Sequence, residues 1–326
     1  MLLHGLNGAG KTNLLEALHV GTQGFSPRAR RDAQLIRFGA SAGKVMLRGS
    51  TGDNAFATDI VLAPHEPRSV TLNGERLTSA ERLRHELTTL VFTPDRLAVV
   101  KGAPATRRAY LDRAVGRLLP ARATLANDYA AAVGQRNAAL RRIRAAQSTR
   151  DALAPWTGRV VSLGEDLIRA RTEALALLSA PFTESAGVLG LSSATLAYEG
   201  EPVSEADLED RLDADIDRGL TGAGPHLHDV RIEADGRDLR AFGSQGEQRV
   251  AVLSLVLAEA DALQDRLGAS PLVLLDDVLS ELDGERRRAL AAMISRATQT
   301  VVTATAAEAL PGEPAQLLAV SPGEVR

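Results

Sequence analysis

Gly5, four residues, then Gly10-Lys11-Thr12 is a spacing built to hold phosphate. In G-x-x-x-x-G-K-[ST] the glycines let backbone N–H groups close around phosphate oxygens, the lysine ammonium reaches the outer oxygens, and the hydroxyl is a Mg²⁺ ligand. A second group of candidates lies far along the chain, where the apolar run Leu272-Val273-Leu274-Leu275 ends in Asp276-Asp277. A buried strand that delivers carboxylates in this way can hold Mg²⁺ beside a bound triphosphate. Asp-Asp at a strand end also serves as a turn or cap, and the phosphate loop in the same chain favours the metal reading. A third stretch, Gly243-Ser244-Gln245-Gly246-Glu247-Gln248-Arg249, opens an apolar segment from Val250 to Leu263. Its Ser-x-Gly reads by itself as a helix N-cap. Ser280-Glu281-Leu282-Asp283 follows the acidic pair.

A phosphate loop works between a buried parallel strand and the N-terminus of a helix. The helix is legible in Thr12–Leu18, whereas Met1–His4 offers only a short strand. Lys44–Arg48, Ala55–Leu62 and Ser69–Leu72, the last followed by Asn73-Gly74, read as an antiparallel layer with a hairpin. Leu90–Thr93 is a further apolar strand. From about Ala105 to Leu178 the period turns helical: Leu125, Tyr129, Val133, Leu140 and Ile143 share one face, and Val160, Leu163, Leu167, Ile168 and Leu175 another, with Pro155-Trp156 between them. Two packed helical arms are expected. Strands resume at Val230–Glu233, Pro271–Leu275 and Thr300–Thr303, the last two being continuous apolar runs of the kind that parallel strands buried on both faces require. The pattern is an α/β core split by a helical insertion.

The chain has 326 residues, 44% hydrophobic and 24% charged, and no cysteine. This composition fits a folded globular protein and excludes disulfides, thiolate metal sites and a cysteine nucleophile. No signal-like stretch and no bilayer-length apolar run is visible, so a soluble, cytoplasmic protein with no membrane partner is expected. The net charge of −3 gives no global attraction to nucleic acid, and any such contact must come from local patches. Arg28, Arg30 and Arg31 cluster in a loop, Arg107 and Arg108 stand at a helix start, and Arg136, Arg141, Arg142 and Arg144 lie largely off the apolar face of the first arm. Charge on a helix face is usually a solvated surface. Tyr129 and Trp156, the aromatics near the arms, read as core.

The order of phosphate loop, helical insertion, Ser-x-Gly helix start, buried Asp-Asp and Ser-x-Leu-Asp resembles an ABC-type ATPase head. "GLNGAGKTNLLEAL", "LIRFG", "VFTPDRLAVVKGAPATRRAYLD", "QRNAALR", "GAGPH", "FGSQGEQRVAVLSLVLAEA" and "LLDDVLSELD" are similar, in the same order, to segments of the RecF family of bacterial recombination mediators. The resemblance implies a P-loop NTPase of the α/β class, with residues 1–94 and 225–326 as the ATP-binding lobe and 95–224 as an inserted helical lobe. It implies ATP and Mg²⁺ as cofactors. Gly5, Leu6, Asn7, Gly8, Ala9, Gly10, Lys11 and Thr12 would cradle the triphosphate, Thr12 and Asp276 would hold the metal, and Asp277 would take the place of the water-orienting Glu of many ABC ATPases. Ser244, Gln245, Gly246 and Glu247 would face the nucleotide of a second subunit in an ATP-dependent homodimer, with Asp283 at the seam.

The resemblance further implies weak, slow, DNA-stimulated hydrolysis acting as a switch, binding to duplex near single-strand gaps or to single strands, a RecR-type mediator as partner, and roles in recombinase loading and SOS induction. Thr93 stands where transport-type proteins carry a Mg²⁺-sensing Gln, and Thr303 or Thr305 where they carry a switch His; both departures are RecF-like. Leu227 and His228 replace the Arg and Asp usual in that family. Family members also carry a strand and an Asn-Phe-Arg region ahead of the P-loop that this sequence does not show, which predicts a sheet short of a strand beside the loop and weakened base contacts. A transporter's nucleotide-binding subunit and an SMC-like structural ATPase share the same motifs; the missing Gln and His weigh against the first and the short insertion against the second.

Overall fold

A computed structural model describes residues 1–29, 31–64, 66–268, 270–294 and 299–326. In chain order it builds β1 (Leu2–His4), α1 (Lys11–Gln23), β2 (Gly43–Thr51), β3 (Asn54–Ala63), β4 (Glu66–Leu72), β5 (Glu75–Arg76), α2 (Glu81–Glu86) and β6 (Thr89–Phe92). Helices α3 (Ala98–Lys101), α4 (Pro104–Leu118), α5 (Leu125–Arg144) and α6 (Ala154–Val188) follow, then β7 (Thr195–Glu199), α7 (Glu205–Asp210) and α8 (Leu212–Arg218). Next come β8 (Asp229–Ala234), β9 (Arg237–Asp238), α9 (Leu239–Phe242) and α10 (Gln245–Leu267), and last β10 (Leu272–Leu275), α11 (Gly284–Ile294), β11 (Thr300–Ala304), β12 (Leu317–Ser321) and β13 (Glu324–Val325). Two compact units result, one of residues 1–96, 188–190 and 263–326, the other of 97–187 and 191–262. The sequence reading sets its boundaries after 94 and 224, whereas the second unit also holds 225–262. The reason is pairing: β8 lies on β7, and Glu259 of α10 binds Arg117 and Tyr110 of α4.

The first unit contains a six-stranded sheet in the order β13-β12-β1-β11-β10-β6, parallel except for β13. Its centre is apolar because Leu2, Leu3 and Val273–Leu275 are buried on both faces. The expectation of a bare ladder beside the phosphate loop is corrected here. Strand β12, which sequence periodicity did not single out, pairs Leu2 with Leu317 and Leu3 with Leu318, while β11 pairs the other edge of β1. Both hydrogen-bonding edges of β1 are therefore occupied.

Helix α1 packs the start of its length on this sheet, where Leu15 meets Leu3, Val91, Leu274 and Val301. Its far end packs on the antiparallel meander β2-β3-β4-β5, where Val20 meets Ile60, Leu62, Val70 and Leu72. The expected hairpin at Asn73-Gly74 forms with φ of 52° and 84°, the left-handed pair that such two-residue turns require.

The second unit holds the two helical arms. Tyr129 and Val133 of α5 meet Val160 and Leu167 of α6 in one cluster, and Leu140 meets Leu153, Leu212 and Trp156 in another. Tyr129 is thus a core residue, as the sequence suggested, whereas Trp156 packs against the core while only partly buried. Two of the arginines considered for nucleic-acid contact are not surface residues. Arg136 is 1% exposed and donates to Asp215 Oδ2 at 2.8 Å and Thr221 Oγ1 at 2.9 Å. Arg107 is buried in a two-point pair with Asp229 at 2.6 and 2.7 Å. Arg28, Arg31, Arg141, Arg142 and Arg144 are exposed, and Arg30 lies outside the described residues.

A polar layer runs behind the arms. Arg171 forks onto Asp112 at 2.7 and 2.9 Å and donates to Pro225 O at 2.7 Å. His226 Nε2 lies 3.0 Å from Thr221 O and its Nδ1 lies 2.8 Å from Tyr129 Oη. A carbonyl only accepts, so Nε2 carries the proton and Nδ1 accepts from the tyrosine. Burial holds His226 and His228 below the ordinary histidine range, and nearby Arg171 and Arg108 push the same way.

The folded state thus favours neutral imidazoles, and the unfolded chain binds more protons once pH falls below about 6.5. Stability contributed by these histidines is complete above that pH and is lost as pH falls toward their folded values. Thermal unfolding at pH 7.5 and 5.5 should show a drop at the lower pH that His226→Gln reduces; equal pH dependence in the variant would contradict this assignment for His226.

Candidate functional site

The glycines of the phosphate loop have individual reasons. A Cβ on Gly5 would lie 2.2 Å from Val320 O, so β12 approaches the loop too closely for any side chain there. Gly8 and Gly10 have φ of 81° and 105°, in the left-handed region that glycine enters without strain. Gly10 is also the N-cap of α1, and no side chain satisfies the first turn. Those N–H groups point out of the helix end, where an anion is favoured. Ala9 is buried, while Leu6 and Asn7 are exposed. Lys11 Nζ donates to Gly5 O at 2.7 Å and Leu6 O at 3.0 Å, which holds its charge over the mouth of the loop.

Beside the loop, Thr12 Oγ1 donates to Asp276 Oδ1 at 3.0 Å. The strand order places β10 one strand away from β1, and β11 between them supplies Thr303, which donates to the same oxygen at 2.8 Å. Thr303 Oγ1 in turn accepts the Asp277 N–H at 2.8 Å. Asp276 is buried and Asp277 is exposed with φ of 51°. The strand end therefore turns sharply, so that one carboxylate faces Thr12 and the next faces outward. Sequence reasoning weighed Thr303 only as a substitute for a switch histidine. Its place is structural, pinning both acidic residues; Thr305 is exposed and Thr93 is buried. The available signal was a hydroxyl at the end of an apolar parallel run, one strand over from Asp276.

Thr12 and Asp276 supply two hard oxygens side by side, the ligand type that Mg²⁺ takes. No group of three or more His, Asp or Glu able to hold a metal gathers among the described residues. A divalent ion here would complete its shell with phosphate oxygens and water, the usual arrangement for Mg²⁺ on a triphosphate. The residues present fit that group.

Asp283 stands at the start of α11 and accepts the Arg286 N–H at 2.9 Å. That backbone bond, followed by the Arg286 charge, holds its carboxyl below the usual range. Arg286 Nε also donates to Leu189 O at 3.0 Å. Ser244, Gln245, Gly246 and Glu247 lie in the second unit, at the start of α10. Ser244 N donates to Glu247 Oε2 at 2.7 Å and Ser244 Oγ accepts the Glu247 N–H at 3.2 Å, a reciprocal capping box. The N-cap reading of this Ser-x-Gly is thus realised. Gln248 Nε2 donates to Leu239 O and Gly243 O, tying the preceding turn to the helix. Leu227 is 57% exposed, whereas His228 is buried with Nδ1 3.0 Å from Tyr198 Oη.

No described helix is long and apolar enough to cross a membrane. The profile of the RecF/RecN/SMC N terminal domain family matches residues 1–322. The DNA replication and repair protein RecF of Heliobacterium modesticaldum is 34% identical over 316 residues, covering 92% of this chain and 85% of that protein. The corresponding protein of Anaeromyxobacter dehalogenans is 38% identical over 309 residues, covering 89% and 81%. Among solved structures, the recombination mediator protein RecF with ATP superposes with a TM-score of 0.85 at 25% identity, covering all of this chain and 90% of the other. An Smc head domain from Pyrococcus furiosus gives 0.57 at 16% identity, covering 98% and 86%, and shares the fold. With its phosphate loop and Asp276 held together by Thr12 and Thr303, and with that likeness along its length, the chain belongs to the RecF family.

Proposed function

We propose that this protein is an ATP-driven clamp of recombinational repair and replication, closing as a homodimer on DNA at single-strand gaps. The observation that carries the reading is the Thr12–Asp276 contact beneath a phosphate loop whose helix end lacks a side-chain cap. Relatives named for DNA replication and repair and a neighbour solved with ATP support it. Lys11 leaves the carbonyls of Gly5 and Leu6 to reach the outer phosphates, and Thr12 and Asp276 would hold Mg²⁺, which would supply positive charge to the phosphate oxygens. Asp277 orients a water and takes its proton as the water oxygen bonds the γ-phosphorus and the bond to ADP breaks. Its carboxylate is one methylene shorter than the Glu usual in related ATPases, consistent with slow turnover suited to a switch.

Ser244 and Gly246 of one copy face the γ-phosphate held by the other, with Asp283 at the seam, so that nucleotide joins the two heads. Opening follows hydrolysis. The DNA-facing charge is assigned to the exposed Arg141, Arg142 and Arg144 of α5 and to Arg28 and Arg31, which contact backbone phosphates without reading sequence. A RecR-type mediator then joins the clamp to help recombinase loading and SOS induction.

The test is sedimentation of the chain with Mg-ATP, with and without a gapped duplex, beside Lys11→Ala. Dimerisation of the wild type alone, with DNA joining the dimer, is the expected result. A wild-type chain that remains monomeric with Mg-ATP and gapped DNA would sink the clamp.

A further inference from the structure

Large apolar side chains left in water beside functional motifs call for a partner. Among the described residues, two stand directly at the motifs proposed to meet across the nucleotide. Leu6, inside the phosphate loop, is 81% exposed, and Phe242, immediately before Gly243-Ser244, is 70% exposed. Neither is a loose end. Leu6 is held through its carbonyl, which accepts the Ala9 N–H at 3.1 Å, a bond that does not depend on Lys11. Phe242 closes the short turn α9, and that turn is fixed at both ends of its approach to α10 by the Gln248 side chain on Leu239 O and Gly243 O. Gly243 cannot be replaced without disturbing this turn, since a Cβ there would lie 2.6 Å from Leu239 O. The fold therefore presents an aromatic ring to solvent on a rigid support.

We propose that Phe242 of one copy packs on Leu6 of a second copy, forming an apolar clasp at the rim of each nucleotide site. This inference rests on the head-to-head reading above, in which the Ser244 turn of one copy faces the phosphate loop of the other. In a two-fold dimer the contact occurs twice, because whatever surface one copy offers the other offers as well. Each half of the clasp belongs to a different motif, so the two residues come together only when both motifs do. The clasp excludes water from the phosphate end of the site and adds affinity to the dimer that the nucleotide alone does not supply. Phe242 is a positioning residue here, since it touches neither phosphate nor metal.

Burying a phenylalanine on each side predicts that Phe242→Ala weakens the Mg-ATP dimer on the order of 100-fold. Binding of a fluorescent ATP analogue to the dilute monomer should be unchanged in that variant. The chain has no cysteine, which permits a direct contact test. Leu6→Cys and Phe242→Cys chains, mixed in equal amounts with a short bismaleimide, should give a covalent dimer that depends on Mg-ATP. A Phe242→Ala chain that dimerises as tightly as the wild type overturns the clasp, as does a cross-link that forms equally without nucleotide. A wild-type chain that does not dimerise with Mg-ATP overturns the clamp itself, and the clasp with it.

Discussion

Arg136→Ala should destabilise the helical unit by roughly 3–5 kcal/mol, the usual cost of breaking a buried ion pair from one side. Arg136 and Asp215 are each 1% exposed. The guanidinium holds Asp215 Oδ2 and Thr221 Oγ1, while Asp215 Oδ1 accepts the Gly222 N–H at 3.0 Å. Asn137 Oδ1 completes the group by accepting from both the N–H and the hydroxyl of Thr221 at 2.7 Å. Truncating Arg136 removes the cation paired with the buried Asp215 carboxylate. Trp156, the only tryptophan, packs in the neighbouring cluster with Leu140, Leu153 and Leu212, so urea unfolding followed by its fluorescence reports on this unit.

Two comparisons make the result interpretable. Arg136→Met with Asp215→Leu should recover much of the loss, because removing both partners leaves no orphaned charge. Arg150→Ala, which breaks a pair 60% and 81% exposed, should cost less than about 1 kcal/mol. An Arg136→Ala chain as stable as Arg150→Ala would show that the buried pair does not support the unit.

Asp277→Asn should slow ATP hydrolysis by about 100- to 10,000-fold, the range a positioned general base supplies, while the nucleotide-bound dimer persists longer. The substitution changes one atom and keeps a residue type that tolerates the left-handed conformation at φ 51°. The backbone N–H bonded to Thr303 is untouched by it. Loss of rate can therefore be read as loss of the carboxylate. Single-turnover hydrolysis beside sedimentation separates the two effects: a variant that turns over at the wild-type rate removes Asp277 from the reaction, and one that fails to dimerise assigns it to binding instead.

The parts legible in the sequence were those whose cause is local. The glycine spacing of the phosphate loop, the apolar runs before Asp276 and at Thr300–Thr303, and Asn73-Gly74 each encode their own backbone. Asp276 and Thr12 could be paired by motif order, and the structure brings them to 3.0 Å. What escaped depends on partners distant in the chain. Arg136 finds Asp215 79 residues away and Arg107 finds Asp229 122 residues away, so both look like surface charge in a helical pattern. Strand β12 is a short apolar run, Leu317–Val320, but among its residues only Val320 is buried, so it lacks the fully buried character of the runs before Asp276 and at Thr300; its place follows from β1 needing a neighbour. Thr303 was visible as a residue, but its hold on the Asp276 carboxylate and the Asp277 N–H is a property of the strand order.

The register of β1 sets a schedule for synthesis. Leu2 pairs with Val302 on one side and Leu317 on the other, so the strand that carries the phosphate loop waits for both of these neighbours until some 300 residues more have left the ribosome. At ~5–20 residues per second that is a wait of about 15–60 s. The helical arms, drawn mostly from one continuous stretch, can fold in that interval, while β1 waits for β11 and β12. Nascent chains stalled before Thr300 should accordingly display a folded helical unit joined to a protease-sensitive phosphate-loop segment. The ability to take up nucleotide would arrive late and all at once, when β11 and β12 close around β1.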